Sequence, residues 1–387
     1  MGKLKRIFLS FVLLSFIASL CITISSCSQK PEEKKEDVIK IGAILPLTGN
    51  LGFMGGAEKK GMLVAERLIN QKDNPLGRKL KIVFEDSMAK PQEGVTAANK
   101  LLNIENIKYI ITSTTGVSRA VASLLQKSKF LQAAYCMDPS IQKESRYLIR
   151  LYYGMDQEAT TILEYFKSLI NKKVKDISKG VAILYVQHAG AEQQLRDYFL
   201  PGFKKLGINV VYSEPYQFTQ KDFKENIIKI KDSGAKYLVL VGYGFVYPTI
   251  FKQLEEMHMR NKLNIVGGWG FIAQKNLPKN QLENVIVAIP NYIVHKNKVS
   301  EKFMDRYKQV YGAEPNFDSA LAFENIWLIA MAMKDAKSTN IDKVINSLLD
   351  HSYEGVMGKI FIDKNGALII PMSLGIFKQG KIVELKL

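Results

Sequence analysis

Apolar and polar positions along the chain follow two alternating periods. The run IGAIL, residues 41–45, is apolar and of strand length. Pro46 ends the pairing, and Gly49, Gly52, Gly55 and Gly56 follow in a glycine-rich loop. From Ala57 the period becomes helical. Met62, Ala65, Leu68 and Ile69 share one face, while Lys59, Lys60, Glu66 and Arg67 lie off it. The unit then recurs. Strands are predicted at 80–86, 109–112, 130–135, 148–153, 180–185, 208–212, 237–241, 264–267 and 285–290. Helices are predicted at 92–104, around Ala120 to Leu125, through Ile162 to Phe166, and at 192–206, 223–232, 247–257, 300–311, 318–336 and 341–349. Two short strands, 359–362 and 374–378, close the pattern, with the turn Asp363-Lys364-Asn365-Gly366 between them. Such alternation predicts an α/β fold with mainly parallel sheets and helices on both faces. At 387 residues the chain is too long for one ordinary core, so two such sheets are expected. Ligands of open parallel sheets sit beyond the carboxyl ends of the strands, which makes the loop after residue 45 a candidate pocket wall.

The N-terminus breaks this pattern. Lys3, Lys5 and Arg6 precede an apolar stretch from Ile7 to Ile24 that ends in Ile24-Ser25-Ser26-Cys27. That is the layout of a signal peptide, and the last four residues resemble the lipobox of bacterial lipoproteins. The expectation is cleavage after residue 26 and acylation of Cys27; an uncleaved transmembrane anchor is the alternative. Cys21 fits less well, because the bulky Leu20 precedes it. The polar stretch SQKPEEKKED then reads as a flexible tether. Of the three cysteines only Cys136 remains, so no internal disulfide is expected. Cys136 has no accompanying base motif and reads as a small residue in or near the pocket rather than a reactive thiol.

With 47% hydrophobic and 24% charged residues, the chain is neither disordered nor an integral membrane protein. Loss of Lys3, Lys5 and Arg6 with the signal lowers the net charge of +17 to +14. Such an excess suits nucleic acid, but the lysines are scattered along helices without interleaved aromatics. A solvated basic surface is the better reading, and no nucleic-acid partner is expected. Histidines 188, 258, 295 and 351 lack metal-ligand spacing. There is no G-x-S-x-G elbow, P-loop or G-x-G-x-x-G fingerprint. Neither a metal nor a cofactor is expected.

The turn Ser113-Thr114-Thr115-Gly116-Val117-Ser118 joins a strand to a helix. Free backbone N–H groups and the helix dipole there suit a carboxylate; N-capping by Thr114 or Ser118 serves equally well. Arg119, one residue beyond, either pairs with an anionic ligand or faces solvent. Arg146 and Arg150 flank a strand and read as packing or surface pairs. Tyr152 and Tyr153 end that strand, one toward a cleft and one into the core by alternation.

Several stretches together resemble the type I periplasmic binding proteins of the leucine/isoleucine/valine-binding kind. They are ILPLTGNLGFMGGAEKKGMLVA, GRKLKIVFEDSMAKPQEGVTAANKLL, ITSTTGVSRAVA, EPNFDSALAFENIWLIAMAM and YEGVMGKIFIDKNGAL, in the family's order. The resemblance spans about Ile39 to Val383. It implies two Rossmann-like lobes joined by a three-segment hinge, crossing near Asp156, Pro290 and Tyr353-Glu354-Gly355. The domain plan is then 1–26 signal, 27–37 lipidated cysteine and tether, 38–156 with 290–352 as the first lobe, and 157–289 with 353–387 as the second. By position, Thr114 and Thr115 match the hydroxyl pair that receives a ligand carboxylate. Cys136 and Met137 replace a small residue and a threonine, and Met54 a position often aromatic. Ala189 takes the place of a common tyrosine, with His188 beside it. Tyr243 approximates another tyrosine. Trp269 falls where amino-acid-specific members carry a glutamate for the ammonium group. The candidate ligand-binding set is therefore Met54, Thr114, Thr115, Cys136, Met137, Tyr152, His188, Tyr243 and Trp269. The missing glutamate widens the expected ligand from a branched-chain amino acid to a small aromatic or aliphatic acid.

The resemblance implies a lipid-anchored solute-binding protein that closes on its ligand and delivers it to ABC permease subunits, exported and held at a membrane of the envelope. The same fold serves sensory modules that signal to a membrane receptor. An exported enzyme is a third class, and no nucleophile–base pair supports it.

Overall fold

Strand β1 (Ile39–Leu45) is buried at six of its seven positions, as a central parallel strand covered on both faces requires. In the computed structural model, residues 37–387 are described, apart from 50, 137, 243 and 273–280 and the side chains of 73, 189 and 269. The expected signal, Cys27 and tether lie outside the described residues. Ile39–Leu387 forms one unit by its contacts, and two hydrophobic cores divide it into lobes.

The chain continues through α1 (Gly52–Leu68), β2 (Leu80–Asp86), α2 (Pro91–Asn103), β3 (Tyr109–Ser113), α3 (Thr115–Ala122), β4 (Leu131–Tyr135) and β5 (Leu148–Arg150). These strands make an all-parallel sheet in the order β2-β1-β3-β4-β5. Helix α1 starts five residues before the predicted Ala57, so three of the four glycines belong to helix rather than loop. Close packing explains them: a Cβ on Gly55 would lie 2.2 Å from the Pro46 carbonyl oxygen.

The second lobe runs through α4 (Met155–Asn171), β6 (Val181–Val186), α5 (Ala189–Gln194), α6 (Leu200–Lys205), β7 (Val210–Tyr216), α7 (Lys224–Asp232), β8 (Tyr237–Val241), α8 (Tyr247–Glu256), β9 (Asn264–Gly267), α9 (Trp269–Ile272) and β10 (Ile286–Pro290). A π-helical turn at Leu195–Phe199 links α5 to α6. Pro201, which has no N–H to donate, sits two residues after its end.

The chain then returns to the first lobe as α10 (Lys298–Tyr311), α11 (Phe317–Asp335) and α12 (Ile341–Asp350). Asn297, Asn316 and Asn340 each cap a helix by accepting backbone N–H bonds on the side chain. Fifteen of the nineteen α11 residues are buried, which matches its apolar run on every face. Strands β11 (Ser352–Gly355), β12 (Gly358–Ile362) and β13 (Leu368–Ile369) form a small antiparallel sheet, and β14 (Met372–Lys378) and β15 (Lys381–Glu384) end the chain. The second sheet has the order β15-β14-β10-β9-β8-β6-β7, parallel except where β14 meets β10 and β15.

The turn at Asp363 joins β12 to β13, not to the strand at 374–378 as the sequence pattern suggested. β13 is too short for its alternation to register. The chain crosses between cores at Leu151–Met155, at Ile289–Tyr292 and at Ile370–Leu374. The resemblance placed the last crossing near Tyr353; here Tyr353, Val356 and Met357 pack in the first core. Gln157 clamps that crossing by bonding the Leu368 carbonyl (3.0 Å) and the Ile370 N–H (3.2 Å). Among the described residues, no helix is long and apolar enough to cross a membrane.

Candidate functional site

The two lobes meet just past the carboxyl ends of parallel strands, where the ring of Phe53 after β1 lies 6.4 Å from that of Phe245 after β8. On this side the β3–α3 turn supplies the most unusual residue. Thr114 has φ 72° and ψ 144°, a conformation that β-branched residues avoid. It stands at the N-cap position of α3, yet its side chain makes no capping bond, and its buried Oγ1 has no hydrogen-bond partner among the described residues. Ser118 does not cap the helix either; its Oγ lies 2.9 Å from Thr112 Oγ1. The first-turn N–H groups of Thr115, Gly116 and Val117 have no intrahelical acceptor. A strained, unpartnered hydroxyl beside free N–H groups and a positive helix end is built to receive an anion.

Buried acids stand behind this turn. Ser113 Oγ donates to Glu58 Oε1 at 2.8 Å, tying α1 to β3, and Glu58 Oε2 is buried without a partner among the described residues. Burial, then the nearby Asp318, holds the Glu58 carboxyl well above the usual range, against the Ser113 bond. Burial pushes Asp318 up to about 7 and Glu324 up to about 8. The protonated forms are thereby favoured, so these acids do not set a full negative charge against an incoming carboxylate.

Aromatic rings cover the next layer. Tyr152 stacks on Tyr153 (centroids 5.1 Å) and meets Tyr135 edge-on at 6.1 Å. Tyr153 is buried and Tyr152 half-buried, in the expected alternation. Cys136 is 1% exposed; its Sγ is 3.4 Å from Thr115 Oγ1, and burial raises its pKa, which disfavours the thiolate. Thr114, Thr115, Cys136 and Tyr152 therefore gather on one wall. Met54 lies half-buried in the first turn of α1.

On the second lobe, His188 caps α5, its Nδ1 accepting from Gly190 N–H at 3.2 Å. Burial lowers its pKa, which favours the neutral ring that this bond needs. The His188 ring lies 6.1 Å from Phe218, Phe218 lies 6.3 Å from Phe245, and Phe245 reaches Phe53 of the first lobe at 6.4 Å. Trp269 begins α9 directly after Gly268. A Cβ on Gly268 would lie 2.1 Å from Glu158 Cδ, so the Glu158 carboxyl packs onto this glycine. Its oxygens are held by Tyr153 OH (3.2 Å) and Gln194 Nε2 (3.1 Å). Met137, Tyr243 and the Trp269 side chain lie outside the described residues. Arg119 does not face the cleft wall as an anion partner; it pairs with Asp138 and, at 3.7 Å, with Glu144.

Periodicity did not reveal Glu58, Asp318, Glu158, Phe53, Phe218 or Phe245 as candidates. The one available signal was acids inside helices that are otherwise apolar, as at Asp318 and Glu324.

A family model described as periplasmic binding protein matches residues 38–381. The chain belongs to this family. Its kind is type I, the leucine/isoleucine/valine-binding branch, whose members bind solutes and are not enzymes. The binding protein is 27% identical over 369 residues to Leu/Ile/Val-binding protein homolog 3 of Brucella melitensis, covering 90% of this chain and 94% of that one. A solute binding protein of an ABC transporter from Rhodopseudomonas palustris, solved with 3,4-dihydroxybenzoic acid, superposes with a TM-score of 0.77 at 19% identity. That match covers 90% of this chain and 97% of the other. The branched-chain amino acid transporter substrate binding protein of Streptococcus pneumoniae, solved with isoleucine, gives 0.74 at 21% identity, over 89% and 97%.

Proposed function

We propose that this binding protein captures a small carboxylate-bearing solute between its lobes and hands it to the permease of an ABC importer, held to the envelope by lipid on Cys27. The solute is a branched-chain amino acid or an aromatic or aliphatic organic acid of similar size. Thr114 carries the reading: a strained residue whose buried hydroxyl awaits a partner, at a helix N-terminus, in front of acids that favour their neutral forms. The names of the relatives support the ligand class, since they include a leucine/isoleucine/valine binder and a protein holding dihydroxybenzoate. Two groups of rings, Tyr135 with Tyr152 and Phe53 with Phe245, offer the apolar surface such ligands need.

The test is thermal stability of the soluble domain against aliphatic and aromatic amino acids, their deaminated acids and the matching amides. A ligand at a hundred times its Kd stabilises the fold by about 2.7 kcal/mol. The carboxylates are expected to raise the melting point and the amides not to. No shift from any carboxylate, with a correctly folded protein, overturns the proposal.

A further inference from the structure

Beside β5 a cavity of about 630 Å³ opens, within the size range of small-molecule sites. None of the cleft residues described above lines it. Lys143, Arg146 and Lys364 converge on it from two separate segments of chain. Lys143 and Lys364 form no ion pair among the described residues, and Arg146 reaches Asp342 only at 3.9 Å, where Lys129 already holds the same carboxylate at 2.5 Å. A fourth charge stands one layer back. Arg150, 1% exposed and partly balanced by Asp156, bonds through Nε to Gln142 Oε1 at 3.0 Å, and Gln142 lines the cavity. Three exposed cations around a concavity raise its positive potential well above that of the same charges on a flat face.

The other walls differ from a solvated basic surface. Leu148 and Ile345, both buried, make an apolar floor with the exposed Leu349 beside them, while Gln193 and Tyr198 come from the second lobe. The cavity is therefore apolar at its base, cationic at its rim and shared between lobes. It also abuts Ile149, two residues before the first hinge crossing.

We infer that this cavity is a second binding site, taking an amphiphilic organic anion with one or two rings and a sulfonate, phosphate or carboxylate group. An occupant touches both lobes at once, so it favours the lobe arrangement that forms the cavity, and closure of the cleft in turn favours the occupant. This inference stands apart from the cleft ligand and does not need it.

The probe is 1-anilinonaphthalene-8-sulfonate, titrated by fluorescence against the folded protein, wild type and the variants K143E/K364E, K143A/K364A and T114A. Saturable binding that weakens with salt is expected for the wild type. The charge-reversed variant should bind at least tenfold more weakly and the alanine pair should fall between, while T114A matches wild type. Both lysines are exposed, so unchanged melting points in the lysine variants are expected to certify their folds. Wild-type affinity in K143E/K364E, or loss of dye binding in T114A instead, overturns the inference.

Discussion

Phe53 of α1 and Phe245 of the β8–α8 connection meet edge to face across the cleft, with centroids 6.4 Å apart and ring planes at 89°. The two rings belong to different lobes, so the contact exists only while the lobes are together. Edge-to-face pairs contribute about 0.5–1.5 kcal/mol beyond their buried area, and the exposure of both rings, 54% and 44%, argues for the lower half of that range.

Phe53→Ala should therefore weaken ligand affinity by about two- to fivefold, through faster dissociation and not slower association. Stopped-flow kinetics measures both rates. The melting point of the unliganded protein should stay near wild type. An unchanged dissociation rate removes the pair from the closing mechanism.

Thr114 separates stability from binding. Its backbone lies in a region that costs about 1–3 kcal/mol for residues other than glycine. Thr114→Gly should raise the melting point of the unliganded protein, less the entropy that glycine adds to the unfolded chain, while ligand affinity drops. Calorimetry and ligand titration on one preparation check both. A loss of stability together with affinity would show that the hydroxyl serves packing.

The buried acids set the pH response. Asp318 rises from an ordinary 3.8 to about 7 and Glu324 from 4.5 to about 8 on folding, both through burial. Between these limits the folded chain holds more protons than the unfolded one. Their stabilising contribution is complete below about pH 4 and is lost as pH rises through 7 to 8. The melting point should fall between pH 5 and 8.5, and Asp318→Asn should flatten that slope. The groups facing this cluster are Glu58, Glu354, Tyr135, Tyr153 and Tyr292, none of them cationic. A slope unchanged in Asp318→Asn would place the titration elsewhere.

Gly55→Ala tests the glycine-rich start of α1. The new Cβ would stand 2.2 Å from a backbone carbonyl, which cannot rotate away as a side chain can. Overpacking of this kind costs about 1–3 kcal/mol, and denaturant unfolding should show it with an unchanged m-value.

The lobes and most elements were legible from periodicity because parallel strands buried on both faces, such as Tyr237–Val241, are uninterrupted apolar runs. The turn holding Thr114 and Thr115 was legible as a strand-to-helix junction too, since its hydroxyl-rich sequence announces a helix N-terminus, and α3 starts there. What sequence order hides is lateral contact. Phe53 and Phe245 are 192 positions apart, and Glu58 and Asp318 are 260 apart; neither pair leaves a mark in local spacing. The start of α1 was misplaced because glycines signal flexibility in a sequence, whereas here Gly55 answers a close approach.

The two lobes are interleaved along the chain, and this governs when each can finish folding. One face of the first sheet is covered by α11 and α12, which arrive only after the whole of β6 to β10. The second sheet lacks β14 and β15 until the last residues emerge. A growing chain cut short at residue 350 thus has a bare sheet edge in its second lobe and lacks β11–β13 in its first. Both lobes therefore reach their final packing only when the last residues are made.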